Sequence, residues 1–499
     1  MENKLDHLKQ ILGKVSDFSY AIAVLDWDQQ VNMPEEGDLE RGEQISTIQE
    51  VAHNLFVSDE VGQLLSDLIS ESSDLEPDSD EARLIKVTKR KFDKETKIPI
   101  QLIMELSQAT TMAHNAWVKA KTNNDFKSFQ PHLEKIIELT KNKAECFKPY
   151  DHIYDALLDD YEAGMKTTDV RKIFSDIRPQ QVALIKSIKE SKPIDDSFLK
   201  VNFEKSKQWQ FGVDVANVFG MDWKKSRQDV SAHPFTTSFG QKDVRITTNI
   251  NENLPTSALF STMHETGHAL YELGFNSKYR RTPLSNAASF AFHESQSRLW
   301  ENLVGRSKYF WNHFFPKFKT IFSDQLSGID LETFYKAINK VEPSFIRTEA
   351  DEATYNLHVM LRFELELALF EGNLRVEHLP EAWNEHMQQY LGLVPPNDSL
   401  GVLQDVHWSA GLFGYFPTYA IGNLVSLQLW EKIHKDLPAI DDRISEGEFS
   451  ELLEWLRINV HVHGAKYESQ ELIQKITGSK IDSAPYIHYL KTKYNEIYN

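Results

Sequence analysis

The stretch STMHETGHALYELGF, residues 261–275, holds two histidines four positions apart with a glutamate directly after the first. On a helix that spacing puts His264 and His268 one turn apart on one face, so both imidazoles can donate to a single cation. Glu265 projects beside the pair, where a carboxylate serves as a base on water rather than as a ligand. Met263, Ala269, Leu270 and Leu273 would bury such a helix and dry its surroundings. Gly267 removes a side chain where a substrate or another helix could come close.

A catalytic zinc site takes three protein ligands and keeps a fourth position open. The segment SFAFHESQSRLWENLVG offers the third from a following helix, with Glu294 standing 26 positions after His268. That gap lets the first helix end near Gly274, a loop reverse the chain and an antiparallel helix return. His293 is the rival ligand and Glu301 a more distant one. Zinc and cobalt both suit two imidazoles and a carboxylate.

The elements that must position these residues are mostly helices. Leu5, Leu8, Ile11, Leu12 and Val15 form one apolar stripe, and helical spacing recurs in DEARLIKVTKRKFDKE, FQPHLEKIIELTKNKAECF, MLRFELELALFEGNL and FSELLEWLRINVHVHG. The stretches EPDSDE, ESKPIDDS and KDLPAIDDRISEGE read as loops. None is a domain linker and there is no internal repeat, so residues 1–499 are expected to form a single domain. HPFTTSFGQKDVRITTNI differs: two short β-prone runs flank GQKD, which predicts a hairpin. Its second run alternates, with Asp243, Arg245, Thr247 and Asn249 on one face and Val244, Ile246, Thr248 and Ile250 on the other. Such a polar-faced strand could pair with an extended peptide. The fold class expected is mainly α with one small sheet near the metal helix.

The formal net charge of −19, from 55 Lys and Arg against 74 Asp and Glu, argues against nucleic acid as a general partner. A single cysteine, Cys146, excludes an intramolecular disulfide and fits a reducing compartment. The charged start MENKLDHLKQILGKV lacks the apolar core of a signal peptide, and no run of 18 apolar residues exists to span a membrane. The expectation is a cytoplasmic protein with no membrane or nucleic-acid partner.

HPF at 233–235, DVRIT at 243–247, HETGH at 264–268, HESQ at 293–296, IRTEAD at 346–351 and GVLQDVHW at 401–408 occur in one order along the chain. In these motifs the sequence resembles the thermostable carboxypeptidase Taq family of metallocarboxypeptidases, over essentially its whole length. The resemblance implies a large, two-lobed helical fold with a deep central active-site groove, and roles can be carried over residue by residue as expectations. His264, His268 and Glu294 would hold one divalent ion, Zn2+ or Co2+, with Glu265 as general base. Arg347 in IRTEAD would bind the substrate's terminal carboxylate through its planar fork. Arg245 is the second candidate, unless it locks the strand through Asp243, and His233 is a candidate substrate contact. Tyr415, Tyr419 and His407 are the candidate donors to the developing oxyanion. Gln404 and Asp405 are expected to orient a histidine ligand.

The activity implied is metal-dependent release of single residues from peptides with a free C-terminus, by a homodimer. The alternatives are an endo-oligopeptidase of the same architecture and a non-catalytic peptide-binding protein. An aminopeptidase is disfavoured, since a Gly-x-Met-Glu-Asn segment to capture an amino terminus is absent.

Overall fold

Leu5, Leu8, Ile11 and Leu12 are buried in a helix running Glu2–Val31, with Val15 packed against them. The computed structural model describes residues 1–499 and has helices at the other four segments of helical spacing: Asp80–Lys97, Phe126–Glu145, Tyr355–Glu371 and Ser450–Asn459. The architecture is mainly α with one three-stranded sheet. No helix is long and apolar enough to cross a membrane. One expected loop is corrected: KDLPAIDDRISEGE contains a helix, Ile440–Glu446, anchored by buried Ile440 and Ile444. Two apolar residues one turn apart suffice there, and the surrounding Pro, Asp and Gly disguise them.

The chain forms two compact units, neither contiguous in sequence. The first takes Met1–Thr96, Asp195–Ile338 and Leu429–Gly478; the second takes Lys97–Ile194, Asn339–Gln428 and Ser479–Asn499.

In the first unit the expected hairpin forms from β2 (Thr236–Ser238) and β3 (Val244–Thr248), paired antiparallel with Thr236 opposite Ile246. A further strand, β1 (Ser226–Val230), runs parallel to β3 on its other side, Ser226 opposite Val244. Because β3 is central, both its edges are taken, which overturns the expectation that it could pair with a peptide. Val244 and Ile246 bury their side chains with Ala216, Met221 and Ala269, so the sheet's apolar face rests on the histidine-bearing helix.

That helix, Pro255–Leu273, opens with Pro at its first turn, where the missing N–H costs no hydrogen bond. It ends at Gly274, where an added Cβ would stand 2.5 Å from the His461 ring. The chain reverses, Ser289 caps the next helix by accepting from the Phe292 N–H at 3.0 Å, and Phe290–Arg298 returns. A π-helical turn, Leu299–Val304, continues it. Tyr271 lies against His293, Gly267 against Gln296 and Ser297, and Met263 against Gly305, an antiparallel pairing.

The closest approach is at Gly267. A Cβ there would sit 2.6 Å from the Gln296 carbonyl oxygen and 2.7 Å from Ser297 Cα. Backbone, not flexible side chain, fills the space, so the helices must separate to admit even a methyl group. Gly267→Ala should destabilise the protein by about 1–3 kcal/mol, the usual cost of overpacking. It should also weaken divalent-metal binding; thermal unfolding and metal titration check the two effects.

Candidate metal centre

Residues 264 and 268 face the return helix from adjacent turns. His264 Nε2 lies 3.5 Å and His268 Nε2 3.6 Å from the same atom, Glu294 Oε2. The three ligand atoms lie within 4.8 Å of one another. Bonds of about 2.1 Å in a tetrahedral site put donor atoms roughly 3.4 Å apart, so this spacing fits a small divalent cation. His264 Nδ1 contacts Glu301 Oε2 at 2.9 Å, which leaves its Nε2 lone pair for a metal. Glu301, weighed from sequence as a distant ligand, sits behind the ring instead. His293 pairs with Glu272 at 2.9 Å and stacks on His268 with ring centroids 4.3 Å apart.

Arg298 donates from Nε to Glu294 Oε1 at 2.7 Å and from Nη1 to Glu301 Oε2 at 3.2 Å. Glu301 remains ionised to about pH 2: burial opposes its charge, but Arg298, His264 and Arg306 outweigh burial. Burial alone would lower the His264 pKa, yet Glu294, Glu301 and Glu265 together hold it above its ordinary value. The negative field of those carboxylates also favours a metal cation there. His268 is held far below its ordinary value by burial and then by the positive charge of its neighbours, so it is a neutral ring with a free lone pair.

Glu265 is buried, and burial is the main reason its pKa is raised. Its Oε2 accepts a 2.6 Å hydrogen bond from the Thr236 hydroxyl on β2. The hairpin's use is therefore to hold this carboxylate. Sequence reasoning missed Thr236, because nothing local ties it to a residue 29 positions away. Arg298 was within reach, standing four residues after Glu294 on one helix.

The remaining candidates divide in two. Arg245 grips Asp243 through Nε at 3.0 Å and Nη2 at 3.1 Å, and its guanidinium lies over the rings of Trp27 and Phe239. This is the strand-locking arrangement. His233 is exposed, and its carbonyl accepts a 2.6 Å bond from Ser231.

Arg347, His407, Tyr415 and Tyr419 gather within the second unit. His407 Nε2 is 3.4 Å from the Tyr419 hydroxyl, the Tyr415 and Tyr419 rings are 5.3 Å apart, and the Arg347 guanidinium lies 4.8 Å from the Tyr419 ring centre. Asp405 accepts from Arg347 Nε at 3.2 Å and Nη2 at 3.0 Å, and from Arg362 Nε at 2.7 Å. Gln404 Oε1 accepts from the Arg347 backbone N–H at 2.9 Å and from Arg362 Nη2 at 2.7 Å. Gln404 and Asp405 thus orient arginines; the carboxylate behind a candidate ligand histidine, His264, is Glu301, which corrects that expectation. Burial pushes His407 down to about 4, so its ring is neutral at neutral pH.

One turn beyond Arg362, buried Glu366 accepts from Tyr154 Oη at 2.6 Å, Trp408 Nε1 at 2.7 Å and the Gly414 N–H at 3.0 Å. The helix Tyr355–Glu371 thereby clamps residues 404–414 at both ends.

The sequence model of the carboxypeptidase Taq (M32) metallopeptidase family matches residues 7–494. The chain belongs to that family. Thermostable carboxypeptidase 1 of Thermus thermophilus is 39% identical over 486 residues, 95% of each chain. Carboxypeptidase 1 of Bacillus subtilis is 37% identical over 490 residues, 98% of this chain and 97% of its own. The crystal structure of the M32 carboxypeptidase from Deinococcus radiodurans R1 superposes with a TM-score of 0.97 at 39% identity, covering 99% of both chains. The chain is a metallocarboxypeptidase, a peptide hydrolase.

Within this M32 chain Glu366 offers a direct test of the loop clamp. Burial raises its pKa from 4.5 to about 7, against the pull of its three donors. Folded Glu366 keeps a proton that the unfolded chain has released, so wild-type stability falls by roughly 3 kcal/mol as pH rises through that interval. Glu366→Gln removes the titration. Its melting temperature relative to wild type should rise between pH 4.5 and 7 and level off above, measured by calorimetry across pH.

Proposed function

We propose that the enzyme releases residues from the C-termini of peptides at a divalent metal ion, zinc or cobalt, held by His264, His268 and Glu294. The observation that carries this reading is the convergence of two imidazole nitrogens on one Glu294 oxygen, with the buried Glu265 carboxylate on the same helix. A divalent ion held there would supply Lewis acidity and make water easier to deprotonate near neutral pH. Glu265 takes the proton from the attacking water and passes it to the leaving amine. Its hydrogen bond to Thr236 holds Oε2 in place, which fixes the orientation of the carboxylate for that transfer.

Arg347 anchors the terminal carboxylate. A guanidinium carries five N–H groups. Asp405 takes one from Nε and one from Nη2, and the Tyr355 hydroxyl takes one from Nη1 at 2.9 Å. One N–H remains on each terminal nitrogen, the pair that grips a carboxylate end-on. The oxyanion donor comes from His407, Tyr415 or Tyr419, each neutral when it donates. Arg245 serves the strand, and His233 is exposed enough to touch a bound peptide. The one cysteine and acidic charge fit the cytoplasm, and the resemblance supports a homodimer in which residues 1–499 act as one catalytic domain.

Two outcomes follow. Glu265→Gln should retain stoichiometric metal while losing about 10²–10⁴-fold in kcat, the usual worth of a general base; metal analysis beside steady-state kinetics checks this, and undiminished turnover removes Glu265 from the reaction. Wild-type enzyme should cut a peptide with a free carboxylate far better than its C-terminal amide. Arg347→Met should lose about 2–5 kcal/mol of transition-state binding to the free acid and no longer distinguish the two peptides. Equal cleavage of both by the wild type would make the enzyme an endo-oligopeptidase.

A further inference from the structure

We propose that Arg298 is a positioning residue that restricts Glu294 to one oxygen at the metal, a role that rests on the metal reading above. The two oxygens of Glu294 have different surroundings. Oε2 faces His264 and His268 and also accepts a 3.2 Å contact from the Ser297 hydroxyl. Oε1 accepts the 2.7 Å bond from Arg298 Nε. A carboxylate oxygen has two lone-pair sites, so Ser297 does not close Oε2 to a cation. A carboxylate with both oxygens free can instead chelate through the pair, occupying the position that a catalytic site keeps open.

The same guanidinium reaches the other side of the site. Its Nη1 stands 3.2 Å from Glu301 Oε2, the atom that contacts His264 Nδ1. One planar cation therefore orients both the acidic donor and the group behind a ring donor. The spacing is set by sequence: Glu294 to Arg298 is one turn, and Glu301 follows three residues later inside the π-helical turn. Arg306 Nη2, 3.6 Å from Glu301 Oε1, supplies the second positive charge, so the two glutamates are balanced without drawing on the metal. A lysine, a point charge without the fork, cannot reproduce both contacts in one plane.

The test uses metal-free protein reloaded with Co2+, whose visible absorption falls as coordination rises from four to five. Arg298→Met should absorb more weakly per cobalt than wild type and bind Co2+ and Zn2+ about 10–100-fold less tightly. Arg298→Lys, which keeps the charge, should recover affinity more than it recovers the spectrum. Coincident spectra and affinities in wild type and Arg298→Met overturn the proposal. Should that variant fail to fold, the wild-type Zn2+-loaded crystal structure decides: Oε1 on Arg298 supports the role, and both Glu294 oxygens on zinc overturn it. A wild-type chain that binds no cobalt is a separate result, which removes the metal reading and the role of Arg298 with it.

Discussion

Gly267 allows two helix backbones to meet at a distance that no other residue permits, and the candidate metal centre is built on that contact. With the backbone of residues 296–297 against position 267, the Glu294 side chain reaches Nε2 of both histidines. Moving the helices apart by the width of a methyl group would lengthen each of those distances together. The apolar supports are arranged around the same contact. Ala269 packs on the sheet through Val244 and Ile246, which brings β2, and with it Thr236, onto Glu265. Met263 fills the space over Gly305, and His461 fills the space at Gly274. Each glycine is a point where another element occupies the room a side chain would need.

Charge is handled by a second rule, that a buried ion is tolerated when it is paired and hydrogen-bonded. Around the histidines, Arg298 and Arg306 face Glu294 and Glu301. Burial opposes the charge of Glu301, yet paired it keeps that charge down to about pH 2. Glu265 has only a neutral hydroxyl on Oε2, and its pKa is raised. Neighbouring glutamates on two helices are therefore driven in opposite directions by what they touch. That contrast is consistent with structural support for Glu301 and with the proton transfer proposed for Glu265.

The sequence carries much of this, in pieces of uneven reach. Helical spacing and the HETGH and HESQ segments are local patterns, and local patterns suffice to put His264, His268 and Glu294 on facing helices. The hairpin is legible from its alternation, but β1 is not, since Ser226–Val230 is polar and only partly buried. Thr236 and the pairing of Gln404 and Asp405 with arginines depend on chain crossings between distant segments, which no periodicity records. The boundaries of the two compact units are illegible for a related reason: each unit is assembled from three separated stretches, so no linker marks them. Motif glutamines and aspartates look like partners for histidine until the arginines near them are placed.

The arginine cluster of the second unit differs from the candidate metal centre in one respect that bears on the proposed direction of cleavage. Arg347 and Arg362 are both buried and share one carboxylate, Asp405, which their charges hold well below the usual range despite burial. His407 beside them is neutral, and Gln404 contributes only dipoles. Among these groups one positive charge stays unbalanced in a place largely closed to water. Such a cluster gains most from a ligand that brings a single negative charge and two acceptor oxygens in a plane, matching the two N–H groups left on Arg347. A chain-terminal carboxylate has that charge and shape; an internal peptide bond has neither. Under the proposed function, that uneven count of arginines against aspartate is what would favour a free C-terminus over the middle of a peptide, before any side-chain pocket is considered.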